Sequence, residues 1–239
     1  MIIIPARIGS SRFPNKVLAD IGGMPMVVRT AKSVEDIDDV VIATDSQEVI
    51  DIASKHDIKA VLTSTSHQSG TDRIYEAVQK LELDENEIII NVQGDEPFIE
   101  TEVVQAIYNL TKENKDNDRI MMNSCYKTIS NPEADDPNIV KVVTDCDDIA
   151  LYFSRAKIPY PRDHHFDAYK GHLGIYGFTV RSLRNFCMLT PAPLEDIEKL
   201  EQLRALYHGY EVAMIEVQTE SFGIDTMEDL EKAIKHHRL

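Results

Sequence analysis

Arg7, Arg12 and Lys16 share one acid-free stretch, Pro5-Ala6-Arg7-Ile8-Gly9-Ser10-Ser11-Arg12-Phe13-Pro14-Asn15-Lys16, which follows the apolar run Ile2-Ile3-Ile4. Backbone N–H groups and the hydroxyls of Ser10 and Ser11 can wrap phosphate oxygens there, while Arg and Lys neutralise them. The plain alternative is a surface turn that happens to be basic. Charge weighs against it. The 239-residue chain carries a net charge of −16, yet residues 1–34 hold Arg7, Arg12, Lys16, Arg29 and Lys32 against Asp20 alone, a local +4 that leaves −20 for the rest. One cationic spot on an acidic chain draws a small anion. The asymmetry argues against a nucleic-acid binder, which would show a basic face across the whole domain.

Two acids stand where such a ligand needs a divalent cation. Asp95 lies in Gln93-Gly94-Asp95-Glu96-Pro97, directly after the apolar run Ile88–Val92. Asp225 lies in Gly223-Ile224-Asp225-Thr226, at a strand-to-helix junction. Mg²⁺ takes one or two carboxylates and completes its shell with phosphate and water. Asp225 before Thr226 also reads as ordinary turn chemistry. His67-Gln68-Ser69-Gly70-Thr71-Asp72-Arg73 opens a helix whose N-terminus suits a polar ligand. A simple N-cap accounts for Ser69 and Thr71 but does not require Gln68 or Arg73. Arg155 and His172-Leu173-Gly174-Ile175-Tyr176-Gly177 add a cation, an imidazole and a phenol. On chemistry alone, His172 reads as structural, and Glu201 and Gln202 as solvated neighbours of a helical core face.

The elements that must position these groups alternate. Strand patterns at 2–4, 40–43, 59–62 and 87–92 interleave with helical patterns at 24–34, 46–55, 71–83 and 100–112. Pro5 is expected to end the first strand. The βαβα order predicts an α/β fold, a mostly parallel sheet flanked by helices, with ligands at the carboxyl ends of its strands. Residues 131–137 read as loop. Strands follow at 139–143, 149–153 and 171–178, so a strand-rich part spans roughly 131–190 within a single domain, 1–239. One helix is expected over 193–208, a strand over 211–217, and a last helix capped by Thr226 with Asp229. The tail histidines His236 and His237 read as frayed and solvated.

Cys125, Cys146 and Cys187 form no Cys-x-x-Cys pair, which argues against a zinc or dithiol site and fits a reducing compartment. The first strand begins at residue 2, leaving no room for a signal peptide. No apolar run approaches the ~20 residues of a membrane helix. The expectation is a soluble, cytoplasmic protein without membrane insertion. No Walker loop and no Gly-x-Gly-x-x-Gly occurs, so the usual ATPase and dinucleotide readings fall.

These motifs, with Leu151-Tyr152-Phe153-Ser154-Arg155-Ala156 and Leu200-Glu201-Gln202-Leu203-Arg204, resemble over nearly the whole chain those of the 3-deoxy-manno-octulosonate cytidylyltransferases. The resemblance implies a nucleotide-diphospho-sugar transferase fold, usually homodimeric. It implies transfer of CMP from CTP to 3-deoxy-manno-octulosonate (Kdo) with Mg²⁺, for lipopolysaccharide synthesis. It makes Arg7, Ser10, Ser11, Arg12 and Lys16 the triphosphate cradle, with Ser69, Thr71 and Arg73 on the nucleotide. It makes Asp95 and Asp225 the metal ligands, and with Arg12 and Lys16 the catalytic set. Gln93, Arg155, His172, Tyr176, Glu201 and Gln202 become the sugar-acid pocket, which reverses the plain reading of His172, Glu201 and Gln202. The rival readings are a CMP-sialic acid synthetase-like enzyme and a non-catalytic nucleotide-binding protein.

Overall fold

The computed structural model describes residues 1–9, 13–67, 69–163 and 166–237. The chain packs as two compact units, residues 1–105 with 219–239, and residues 106–218.

In the first unit β1 (Ile2–Ala6) is followed by a hairpin of β2 (Asp20–Ile21) and β3 (Met24–Pro25). Gly22 and Gly23 turn that hairpin at φ 60° and 84°, a conformation glycine adopts without strain. Next come α1 (Met26–Val34), β4 (Val40–Thr44), α2 (Gln47–Lys55), β5 (Lys59–Leu62), α3 (Gly70–Lys80) and β6 (Ile88–Asn91). The strands lie in the order β6-β1-β4-β5, all parallel, and α1, α2 and α3 pack against them. β1, β4 and β6 are almost wholly buried, which is why each reads as an unbroken apolar run.

Two expectations change here. Pro5 sits inside β1, because β1 pairs with β6 only through Ile2 and Ile3, and Pro5 lies beyond that ladder. The first helix starts at Met26, because Met24 and Pro25 are extended in β3. The unit boundary falls inside α4 (Thr101–Asn114).

The second unit contains β7 (Ile120–Ile129), α5 (Asn131–Ala134), β8 (Lys141–Thr144), β9 (Ala150–Ser154) and β10 (Tyr169–Thr179). It continues with α6 (Val180–Met188), α7 (Pro193–Glu198), α8 (Leu203–Tyr207) and β11 (Glu211–Glu216). β7 carries β11 parallel on one side and β10 antiparallel on the other, and β8 then β9 extend from β10, both antiparallel. The strand-rich unit exceeds the 131–190 stretch because β7 and β11, near its two ends, pair with each other. Residues 131–137 are not all loop: a capping box, Ser130 with Glu133, folds α5. The helix expected over 193–208 is two helices, broken at Lys199, which adopts φ 54°.

The C-terminal helix, Met227–His237, belongs to the first unit. Its cap is as expected: Thr226 Oγ1 accepts from Asp229 N at 3.2 Å and Asp229 Oδ2 accepts from Thr226 N at 2.9 Å. His236 and His237 are exposed, as expected, but the last turn stays helical and the His237 ring stacks on Phe98 with centroids 3.7 Å apart. Among the described residues no helix is long and apolar enough to cross a membrane.

Candidate functional site

In the first unit three separate segments converge on one ammonium. Lys16 Nζ donates to Asp95 Oδ2 at 2.5 Å and to Asp225 Oδ1 at 2.9 Å. Local structure explains the convergence. Asn15, in the left-handed region that Asn tolerates, turns the chain into the single helical turn Lys16–Leu18, and Val17 is buried beneath it. Asp95 follows β6 through Gly94, where a Cβ would stand 3.0 Å from the Pro5 carbonyl oxygen, so the two backbones touch only because residue 94 has no side chain. Thr30 Oγ1 on α1 donates to the Gly94 carbonyl at 3.2 Å. Ile224 N donates to the Asp95 carbonyl at 2.9 Å. The Ile224 side chain is buried with Ile21, Met26, Leu230 and Ala233, and Phe13 and Phe98 pack on the same cluster. One apolar cluster therefore holds the residues next to Lys16, Asp95 and Asp225.

Burial draws the Lys16 pKa down, but Asp95 and Asp225 outweigh it and leave the ammonium held above its ordinary value. Two carboxylate oxygens meeting at one cation are hard donors of the kind Mg²⁺ prefers. Among the described residues no third His, Cys, Asp or Glu joins them in a metal-binding group. The pair fits a cation whose remaining ligands are phosphate and water, not an all-protein cage.

The other residues expected at the nucleotide divide. Arg7 is exposed on the loop after β1. Ser10, Ser11, Arg12 and Gln68 lie outside the described residues. Ser69 caps α3: its Oγ accepts from Asp72 N at 3.0 Å and donates to Asp72 Oδ2 at 2.9 Å. Thr71 is buried, and so is Arg73. The Arg73 guanidinium donates to Thr63 Oγ1 at 2.6 Å and to Asp45 Oδ2 at 2.9 Å, and Asp45 Oδ1 accepts from Ile8 N at 3.1 Å. Arg73 thus ties α3 to the cationic loop through Asp45. Glu76, one turn on, accepts from Ser64 N at 2.8 Å and pairs with His67 and Lys80. Asp45 and Glu76 escaped the sequence reading, since nothing in their spacing marks them as partners of distant loops.

The second unit gathers the residues expected around a sugar acid, apart from Gln93, which follows β6 in the first unit and donates to Asn91 Oδ1 at 3.4 Å. Tyr176 O–H donates to Gln202 Oε1 at 3.1 Å. The His172 ring lies 5.6 Å from Tyr176 and 4.9 Å, edge to face, from Phe153. Burial raises the Tyr176 phenol well above its usual range, and the charge of Glu201 pushes it further. The break at Lys199 makes this cluster. It turns Gln202 inward until it is 2% exposed, whereas Ile197 on α7 is exposed. Gln202 is therefore not solvated. Arg155 lies along the end of α7: its Nε donates to the Glu198 carbonyl at 2.8 Å, one terminal nitrogen to the Pro137 carbonyl at 3.0 Å, and its backbone N–H to Glu198 Oε2 at 2.9 Å. Lys141, fully buried, donates to the carbonyls of Asp136, Ile139 and Arg155 and braces the same loop.

Burial lowers the His172 pKa to about 3. Below about pH 6.5 the unfolded chain binds a proton there and the folded chain does not, so stability falls as pH drops from 6.5 toward 3. This group alone should cost up to ~1.4 kcal/mol per pH unit in that window. Urea unfolding at pH 7.5, 6.5 and 5.5 should show the loss in the parent and a flatter profile in His172→Gln. Equal slopes would refute the assignment.

A lysine bridging two carboxylates in loops beside a parallel sheet, one of them directly after a strand, suits a nucleotidyltransferase. The comparisons agree and go further. The Cytidylyltransferase family matches residues 1–230, and the chain belongs to it. It is 57% identical over 232 residues to a 3-deoxy-manno-octulosonate cytidylyltransferase of Nitratiruptor sp., covering 97% of each chain. It is 53% identical over 239 residues to the enzyme of that name from Wolinella succinogenes, covering 98% of each. The solved structure of CMP:2-keto-3-deoxy-manno-octonic acid synthetase complexed with CTP superposes with a TM-score of 0.91 at 38% identity, covering 99% of this chain and 97% of that one.

Proposed function

We propose that the protein transfers CMP from CTP to the anomeric 2-hydroxyl of Kdo, giving CMP-Kdo and pyrophosphate for lipopolysaccharide synthesis. The observation that carries this is Lys16 held between Asp95 and Asp225, in a chain whose end-to-end relatives bear that activity in their names. Both substrates are anions, and the reaction needs their repulsion cancelled more than it needs covalent help. Asp95 and Asp225 would hold Mg²⁺, which when bound supplies charge neutralisation on phosphate and a lower pKa for an attacking hydroxyl. Lys16, kept protonated by those carboxylates, stabilises the charge that leaves with pyrophosphate. Arg7, Ser10, Ser11 and Arg12 cradle the triphosphate. Ser69, Thr71 and Arg73 shape the nucleotide side, Ser69 by capping α3 and Arg73 by bonding Thr63, Ser64 and, through Asp45, the backbone of Ile8.

Gln93, Arg155, His172, Tyr176, Glu201 and Gln202 take the sugar acid, with Arg155 on its carboxylate. Replacing Arg155 with Ala should raise KM for Kdo by roughly 10- to 100-fold, the worth of a charge-assisted hydrogen bond, and leave KM for CTP within about twofold. Steady-state kinetics with each substrate varied in turn decide this, and equal effects on both would place Arg155 elsewhere. The same reading makes the enzyme a cytoplasmic homodimer.

A further inference from the structure

Ser124, on β7, is fully buried in the second unit and faces a bulge in β10 between Leu173 and Gly177. Its Oγ lies 2.8 Å from the Ile175 carbonyl oxygen, 3.2 Å from that of Leu173 and 2.9 Å from His172 Nε2. A serine hydroxyl has one proton, and carbonyl oxygens only accept. If that proton pointed at His172, the Ser124 lone pairs would face the Ile175 oxygen at 2.8 Å with nothing between them. The proton therefore goes to a carbonyl, and Ser124 accepts from His172, which must carry its own proton on Nε2. We infer that Ser124 is a positioning residue that fixes His172 as the neutral Nε2–H tautomer, leaving Nδ1 a hydrogen-bond acceptor for a hydroxyl of the sugar acid.

The ligand half of this inference rests on the proposed function; the tautomer half does not. His172 Nδ1 makes no hydrogen bond among the described residues. The depressed basicity of the ring agrees with a neutral imidazole. A lone pair on Nδ1 repels a carboxylate and accepts from a hydroxyl, so His172 and Arg155 would read opposite features of one ligand.

The test is a two-bond ¹H–¹⁵N correlation spectrum of the full chain labelled at histidine nitrogens, with His172 assigned by its loss in His172→Gln. The expected result at pH 7 is a neutral ring protonated on Nε2, relaxing to a tautomer mixture in Ser124→Ala and returning in Ser124→Thr. A ring protonated on Nδ1, or an imidazolium, in the parent overturns the inference even if neither variant folds. Kdo should then perturb Nδ1 rather than Nε2, and Ser124→Ala should raise KM for Kdo about tenfold at unchanged KM for CTP, the worth of one hydrogen bond. A parent with the Nε2–H ring but no Kdo-dependent turnover upholds the role of Ser124 and removes the functional reading. Turnover with the wrong tautomer removes this inference alone.

Discussion

Asp225→Asn should fold as the parent does and lose turnover by about 10²-fold or more, the usual cost of removing one transition-state charge contact. Its side chain is 48% exposed, so exchanging carboxylate for amide leaves no buried charge unpaired. The amide oxygen can still accept from Lys16. What disappears is one negative charge of the pair that would hold Mg²⁺, and with it part of what keeps Lys16 protonated. Asp95→Asn should behave alike, because Asp95 makes the shorter contact to the same ammonium. The measurement is kcat against Mg²⁺ concentration, with circular dichroism to confirm the fold. A parental rate at saturating Mg²⁺ would remove Asp225 from the set of ligands.

Gly177→Ala should be the most damaging single methyl in the second unit. A Cβ there would stand 1.9 Å from Thr111 Oγ1, 3.0 Å from Ile107 Cγ2 and 3.2 Å from Thr111 Cβ. Thr111 is 1% exposed and its hydroxyl is bound to the Ile107 carbonyl at 2.7 Å, so relieving the clash must break that bond or shift the backbone. Overpacking a filled core costs typically 1–3 kcal/mol, and a contact this close belongs at or above the top of that range. For a chain of this size about 3 kcal/mol lowers Tm by roughly 6–12 °C. Thr111→Ala should recover part of the loss when combined with Gly177→Ala, because it removes the atom at 1.9 Å but leaves Ile107. A parental Tm for the single variant would show that β10 does not pack this tightly on α4. Gly177 adjoins Tyr176, so the loss should reach the proposed sugar-acid pocket as well as the fold.

What could be read from the sequence divides along physical lines. β1, β4 and β6 were legible because burial on both faces demands unbroken apolar runs, and the loops at their ends carried Lys16 and Asp95 in view. β7 was not legible. Its sequence interrupts the apolar pattern with Asn123 and Ser124, both buried, whose hydrogen-bond partners include Gly177, Ile175 and His172, some fifty positions along the chain. Composition cannot announce such partners. The break between α7 and α8 was hidden for another reason. Lys199 takes a left-handed conformation that costs a non-glycine residue about 1–2 kcal/mol, with no glycine to signal it. A continuous helix would have kept Gln202 on a solvated flank, and resemblance rather than patterning put it in the pocket. Arg73 was legible as unusual, but its work is interior, in the chain of bonds through Asp45 to Ile8.

The most direct measurement is pyrophosphate release from CTP with Mg²⁺, with Kdo and a sialic acid offered in parallel. Release with Kdo alone is the expected result. Release with sialic acid alone would keep the nucleotide and carboxylate assignments and discard the Kdo pocket, and release with neither would contradict the proposed activity.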